Sequence, residues 1–202
     1  DKYREFARAH NNLGIALKKK GKLIEAITQY KAAIKINPDF AKPYNNLGNI
    51  SMTAKNFDEA ILYYKESIRI SPGYASAYNN LGTVLLQKGE VDEAIVHLRE
   101  AIKINPDLYQ TRTNLGALLS QKGEKEKAIV HLREAIKINP GFALAHFSLG
   151  NVLFQIGEAE EAITHYREAV RIKPDYLLFR KILEEVLLRT NKLEKLKTQL
   201  SR

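Results

Sequence analysis

Carboxamides recur in this 202-residue chain at intervals that a peptide backbone could use. Counting 34-residue copies from Ala7, the sixth place holds Asn12, Asn46, Asn80, Asn114 and Ser148. The fifth holds Asn11, Asn45, Asn79, Thr113 and Phe147, and the ninth Ile15, Asn49, Thr83, Ala117 and Asn151. Each asparagine offers a carbonyl acceptor and an NH2 donor, which pair with an extended main chain whatever its side chains. A second set is cationic. The twenty-fifth place holds Lys31, Lys65, Arg99, Arg133 and Arg167, and the twenty-ninth Lys35, Arg69, Lys103, Lys137 and Arg171. Lys65, Arg99, Arg133 and Arg167 would form a stripe for an anionic partner, with salt-sensitive phosphate contacts. Glu66, Glu100, Glu134 and Glu168 lie beside these rows, and cations in a last helical turn are favoured by the helix dipole. No aromatic residues interleave the stripe as single-strand binders require, so a solvated face is expected and nucleic acid is not.

His97, His131 and His165 repeat at one place in three copies. Packed helices lie roughly 8–10 Å apart, too far to share one ion through bonds near 2 Å, so no metal site is expected. Paired buried carboxylates, a glycine-rich phosphate loop and a nucleophile triad are not found. The sequence therefore predicts no catalytic residues, no cofactor and no small-molecule substrate.

The elements that position these residues follow from the repeat itself. The segment AIVHLREAIKINP at 94–106 recurs letter for letter at 128–140. A fixed period in this range means stacked units rather than one globular core. The copies are 7–40, 41–74, 75–108, 109–142 and 143–176, flanked by 1–6, read as the remnant of a preceding unit, and by 177–202, a degenerate sixth repeat of C-terminal capping helices. Leu-Gly stands at 13–14, 47–48, 81–82, 115–116 and 149–150; Ala26, Ala60, Ala94, Ala128 and Ala162 follow, then Pro38, Pro72, Pro106, Pro140 and Pro174. In the third copy apolar spacing predicts helix A at 75–88 and helix B at 92–105, separated by Gly89 and ended by Asn105-Pro106.

A glycine inside a helix costs about 1 kcal/mol relative to alanine. The expected compensation is close approach of the two helices, with Gly82 facing Ala94 and Ala101. In the second copy Lys55-Asn56 replaces the turn glycine, Ser51 a buried leucine and Ser67 an alanine, so local softness is expected. Asn56 is the better candidate for a positive φ. After Pro174 the pattern predicts one apolar helix to Asn191 and a further, more polar helix over 192–200. Glu184 stands there in the place of the glycine.

The period and the Leu-Gly, Ala and Pro places resemble the tetratricopeptide repeat family in every copy, although His10, Tyr44, Tyr78, Arg112 and His146 stand where the family usually has Trp. The resemblance implies an all-α, right-handed superhelical solenoid of antiparallel helix pairs that serves as a protein–protein interaction scaffold. It also puts helix A residues on a concave face. Asn12, Asn45, Asn46, Asn49, Asn79, Asn80, Asn114 and Asn151 would then line a groove for an extended peptide, similar to the Asn-rich repeats of O-linked N-acetylglucosamine transferase and kinesin light chain. Asparagine at these places would equally serve the scaffold alone. The two-carboxylate clamp of some family members needs cations where this chain has Asn45, Gln110 and Asn114, and is rejected. Arg8, Lys18, Lys19 and Lys42 make the first turn of the groove basic, which suits an acidic segment of the partner. Phe147 and Phe154 would take an apolar side chain, or Phe147 would pack on the C-terminal cap.

A net charge of +9 raises the question of anionic partners, which the placement of the cations answers as above. There is no cysteine, no signal-peptide pattern and no membrane-length apolar run, and the cytoplasm is the expected compartment. The chain begins at Asp1 rather than Met, which fits a fragment of a larger protein. The alternative function is accordingly a substrate-targeting arm of a larger enzyme such as a glycosyltransferase, and a third is anionic-surface binding by the basic rows. Uncovered ends would allow self-association.

Overall fold

A computed structural model describes the backbone over residues 2–200 and the side chains over residues 2–191. The elements are α1 (Lys2–Lys19), α2 (Leu23–Ile36), α3 (Ala41–Thr53), α4 (Phe57–Ile70), α5 (Ala75–Gln87), α6 (Val91–Ile104), α7 (Tyr109–Gln121), α8 (Lys125–Ile138), α9 (Ala143–Gln155), α10 (Ala159–Ile172) and α11 (Leu177–Leu200). The fold is all-α, and each copy of the repeat is one packed helix pair. The chain divides into two compact units, Asp1–Pro106 and Asp107–Arg202. In the first, α1 packs on α2, α3 on α4 and α5 on α6, while α2 meets α3 and α4 meets α5. In the second, α7 packs on α8 and α9 on α10, with α8 against α9 and α11 against α10.

The turn inside each pair is built by one left-handed residue. After α5, Gly89 at φ +82° lets Glu90 N–H reach back to Leu85 O at 2.9 Å and Gly89 N–H to Leu86 O at 3.0 Å. These two bonds satisfy carbonyls that the helix end leaves open. In the second copy this position falls on Lys55, at φ 61°, and not on Asn56. The register decides the matter: Lys55 occupies the glycine's place, and Asn56 N–H must point back to Ser51 O, 2.8 Å away. The polar substitutions of that copy are satisfied, since Ser51 Oγ donates to Glu59 at 2.7 Å and Ser67 Oγ to Ala41 O at 3.0 Å.

Close approach explains the mid-helix glycines, through a different residue from the one expected. A Cβ on Gly82 would stand 2.8 Å from Leu98 Cγ and 3.1 Å from Ala94 O, and Ala101 is not among its nearest neighbours. On Gly48 it would stand 2.6 Å from the ring of Tyr64. The residue that meets the glycine is thus the twenty-fourth of each copy: Tyr30, Tyr64, Leu98, Leu132 and Tyr166, all fully buried or nearly so.

Residues 2–6 are helical and continuous with α1, and Tyr3 and Phe6 on them are exposed. The C-terminal end differs from expectation. There α11 is a single helix through Leu200. No glycine or proline interrupts 177–200, so nothing forces the second turn that two capping helices would need. The side chains of the expected polar helix at 192–200 lie outside the described residues. Phe179 and Val186 of α11 are buried, whereas Leu177, Leu178 and Leu188 are exposed.

Candidate functional site

In the first unit the fifth- and sixth-place asparagines of neighbouring copies bond to one another. Asn46 Nδ2 donates to Asn11 Oδ1 at 2.9 Å, and Asn80 Nδ2 donates to Asn45 Oδ1 at 2.9 Å and to Asn49 Oδ1 at 3.0 Å. Asn79 Nδ2 in turn donates to Asn80 Oδ1 at 3.3 Å, and Asn11 Nδ2 to Asn12 Oδ1 at 3.5 Å. Asn11 and Asn45 are buried, Asn46, Asn49, Asn79 and Asn80 half-buried, and Asn12 exposed. The ladder therefore has an inner, structural half and an outer half open to solvent.

The Asn49 carbonyl takes two hydrogen bonds, from Asn80 and from Tyr64 Oη at 2.8 Å, which turns its NH2 outward as a donor. Asn80 spends both N–H groups inside the ladder and keeps acceptor capacity on Oδ1. A donor and an acceptor, fixed side by side, match one peptide group. Tyr64 was not legible as part of this site. Burial pushes its hydroxyl well above the ordinary phenol range, so it stays a proton donor.

The same lock recurs in the second unit, where Tyr166 Oη donates to Asn151 Oδ1 at 2.8 Å. Burial pushes the Tyr166 hydroxyl up to about 12. The rest of the ladder is thinner there. Thr113 and Phe147 replace the fifth-place amides, and Asn114, half-buried on α7, makes no hydrogen bond among the described residues. Phe147 stacks on Phe179 of α11 with ring centroids 4.5 Å apart, the packing role that was one of its two expected readings. Phe154 stays half-buried on α9.

Tyrosine at the twenty-fourth place goes with asparagine at the ninth in the second and fifth copies, and leucine goes with Thr83 or Ala117 in the third and fourth. The first copy breaks the rule. Tyr30 is fully buried, its ninth-place neighbour is Ile15, and its hydroxyl has no hydrogen-bond partner among the described residues. Two opposite stability effects are expected. Tyr64→Phe removes a made bond and costs about 1 kcal/mol, whereas Tyr30→Phe removes an unsatisfied polar atom and is neutral or stabilising by about 1 kcal/mol. Urea unfolding of the two variants beside the wild type checks the pair.

The cationic rows are largely paired. On the helices themselves Arg69 bonds Glu66, Lys103 Glu100 and Arg171 Glu168, and Lys137 lies 3.9 Å from Glu134. Between copies Lys65 meets Glu93 at 3.9 Å and Arg133 meets Glu161 at 2.9 Å. Exposed pairs of this kind stabilise little, but they reduce the field a phosphate chain would feel. Arg99 and Arg167 are exposed, and Arg167 lines a cleft of about 700 Å³ between α10 and α11 with Glu158, Glu160 and Leu187.

One of the recurrent histidines, His165, has a partner that the spacing hid. His146 Nε2 lies 3.1 Å from Pro140 O, which can only accept, so this nitrogen carries the proton. Its bare Nδ1 then accepts from His165 Nδ1–H at 3.0 Å. His165 Nε2 is left to face Glu161 at 3.7 Å. Burial, then the neighbouring His146, hold the His165 pKa below its ordinary value despite Glu161; Arg133 also lowers it. In the unfolded chain this histidine takes up a proton as pH falls through about 6.5, while the folded state resists until lower pH. Stability is therefore expected to fall across that window as the solution is acidified. His165→Gln, which recreates the His10–Gln29 pairing of the first copy, should flatten the fall in unfolding measured from pH 7.5 to 5.

Among the described residues no group of three His, Cys, Asp or Glu side chains gathers as a metal site, and no helix is long and apolar enough to cross a membrane. Family models described as TPR repeat and tetratricopeptide repeat match residues 16–53, 39–107 with 74–141, and 113–176. Among curated protein sequences none matches the chain. Solved structures resemble it over most of its length. The crystal structure of YrrB, described as a TPR protein with an unusual peptide-binding site, is 22% identical with TM-score 0.71, covering 87% of this chain and 90% of that one. MamA is 28% identical with TM-score 0.70, covering 84% and 93%. A thermophilic TPR protein of Thermus thermophilus is 22% identical with TM-score 0.66, covering 90% and 99%. The helix pairs, the 34-residue period and these matches agree: the chain belongs to the tetratricopeptide repeat family.

Proposed function

We propose that the protein is an interaction scaffold that binds an extended peptide segment of a partner along the asparagine face of its helix A elements. The observation that carries this reading is the fixed donor at Asn49 beside the acceptor at Asn80. Both orientations are set before any ligand arrives, so little side-chain entropy is lost on binding. Asn12, Asn45, Asn46 and Asn79 support or flank the pair. In the second unit Asn151, held by Tyr166, is the corresponding contact, with Asn114 and Phe154 beside it on α7 and α9. Arg8, Lys19 and Lys42 are exposed and Lys18 half-buried, which favours an acidic stretch in the partner. The peptide-binding site ascribed to YrrB is in keeping with the reading. Ion pairing of Lys65 and Arg133, two of the four cations in the stripe of Lys65, Arg99, Arg133 and Arg167, speaks against an anionic surface as the main partner. Exposed Tyr3, Phe6 and Leu13 on α1 give self-association a surface, and it stands as a subordinate proposal.

The test is selection of peptides from a random library, followed by stepwise backbone N-methylation of the tightest binder. Backbone recognition predicts that methylating one amide removes binding while side-chain exchange at the same residue is tolerated. The reverse pattern would mean that side-chain pockets, not the amide face, hold the ligand.

A further inference from the structure

The first copy lacks an acceptor that the second copy possesses. In the second, the Asn49 carbonyl receives the Tyr64 hydroxyl at 2.8 Å and Asn80 N–H at 3.0 Å, with Met52 Sδ 3.8 Å from the same hydroxyl. The equivalent residues one copy earlier are Ile15, Tyr30, Asn46 and Lys18. Tyr30 keeps the donor, buried and unpartnered. Asn46 keeps its second N–H, since only one goes to Asn11. Ile15 offers nothing to receive them, and an ammonium has replaced the thioether. Two neutral donors and a cation thus converge by repeat equivalence on a spot with no protein acceptor. Arg8, Lys19 and Lys42 on α1 and α3 add positive charge, and none of them is in an ion pair among the described residues.

We propose that this spot is a carboxylate subsite, at which an Asp or Glu side chain of the bound peptide supplies the oxygen that accepts from Tyr30 and Asn46. The inference rests on the peptide-groove reading and adds to it a preferred residue class and a place. Lys18 provides the charge-assisted contact that makes such a pairing strong. Ile15, half-buried and packed against the cluster that holds Tyr30, must turn aside as the carboxylate enters. Burial raises the Tyr30 pKa, which keeps the proton on the phenol for donation. Ile15→Asn would close the subsite from within, by restoring the arrangement of the second copy.

The experiment measures fluorescence anisotropy of labelled N-acetyl-hexaglutamate amide and of a neutral Gly-Ser peptide of equal length. Each is titrated with the full chain as wild type, Tyr30→Phe, Ile15→Asn and Tyr64→Phe, with helicity checked by circular dichroism. Tyr30→Phe is expected to weaken hexaglutamate about tenfold, the loss of one hydrogen bond to a charged group, and to leave the neutral peptide unchanged. Ile15→Asn should weaken hexaglutamate likewise but bind the neutral peptide no more weakly, since it adds an outward NH2, while Tyr64→Phe, which frees Asn49, should weaken both peptides. Wild-type affinity for hexaglutamate in Tyr30→Phe overturns the subsite and leaves the groove standing. Equal binding of the two peptides to the wild type does so too. Failure of both peptides to bind the wild type overturns the groove reading together with the subsite.

Discussion

Gly48→Ala is expected to destabilise the protein by about 2 kcal/mol, although alanine is the better helix former by about 1 kcal/mol. The added methyl would stand 2.6 Å from Tyr64 Cε1, 2.8 Å from Cδ1 and 3.0 Å from Cζ. Tyr64 is fully buried between α3 and α4 and its hydroxyl is tied to Asn49, so the ring cannot swing away cheaply. If it does move, the bond that orients Asn49 breaks. The substitution therefore couples core and groove, and weaker peptide binding should accompany the lower urea midpoint. Gly82→Ala meets Leu98 and the Ala94 carbonyl and should cost a similar amount. Unchanged or raised stability in both variants would remove close approach as the reason for the glycines.

Asn80→Ala carries the second large effect. It deletes three hydrogen bonds at once and leaves the buried Asn45 carbonyl without its donor. A loss of about 2–3 kcal/mol follows, because a buried acceptor left unpaired costs more than the bond itself contributes. Asn46→Ala, which likewise leaves a buried carbonyl, that of Asn11, unpaired but breaks one bond instead of three, should cost about 1–2 kcal/mol, so the two variants are graded by the ladder and not by exposure, which is similar for both. Chemical denaturation at one pH measures the difference.

Much of this architecture is legible in the residues. The Leu-Gly, Ala and Pro places give the helix pairs and their ends to within a residue or so, because each is a local signal repeated five times. What lies across a helix pair is harder to read. That Gly82 meets Leu98 and not Ala101 depends on how α5 crosses α6, which the period does not encode. The asparagines were visible as a row, but their division into inner and outer halves needed Tyr64 and Tyr166, which look like ordinary core aromatics in the sequence. A signal did exist, since tyrosine at the twenty-fourth place and asparagine at the ninth change together in four of the five copies. His146 was hidden for a related reason. It stands at an aromatic place of its own helix, and its partner His165 belongs to a row that periodicity already explained.

The central claim is that the amide face, not the basic rows, holds the partner. It is tested most directly by affinity capture from the source lysate on three immobilised baits, read by quantitative mass spectrometry. The baits are the wild type, Asn49→Asp and Arg99/Arg133/Arg167→Glu. Asn49→Asp keeps the oxygen that accepts from Tyr64 and Asn80 and replaces only the outward NH2, so its fold should stay close to wild type. Each bait is checked for unchanged helicity first. The account predicts partners that are lost from Asn49→Asp and kept by the charge-reversed bait. Partners lost only from the charge-reversed bait would contradict it and move the binding site to helix B.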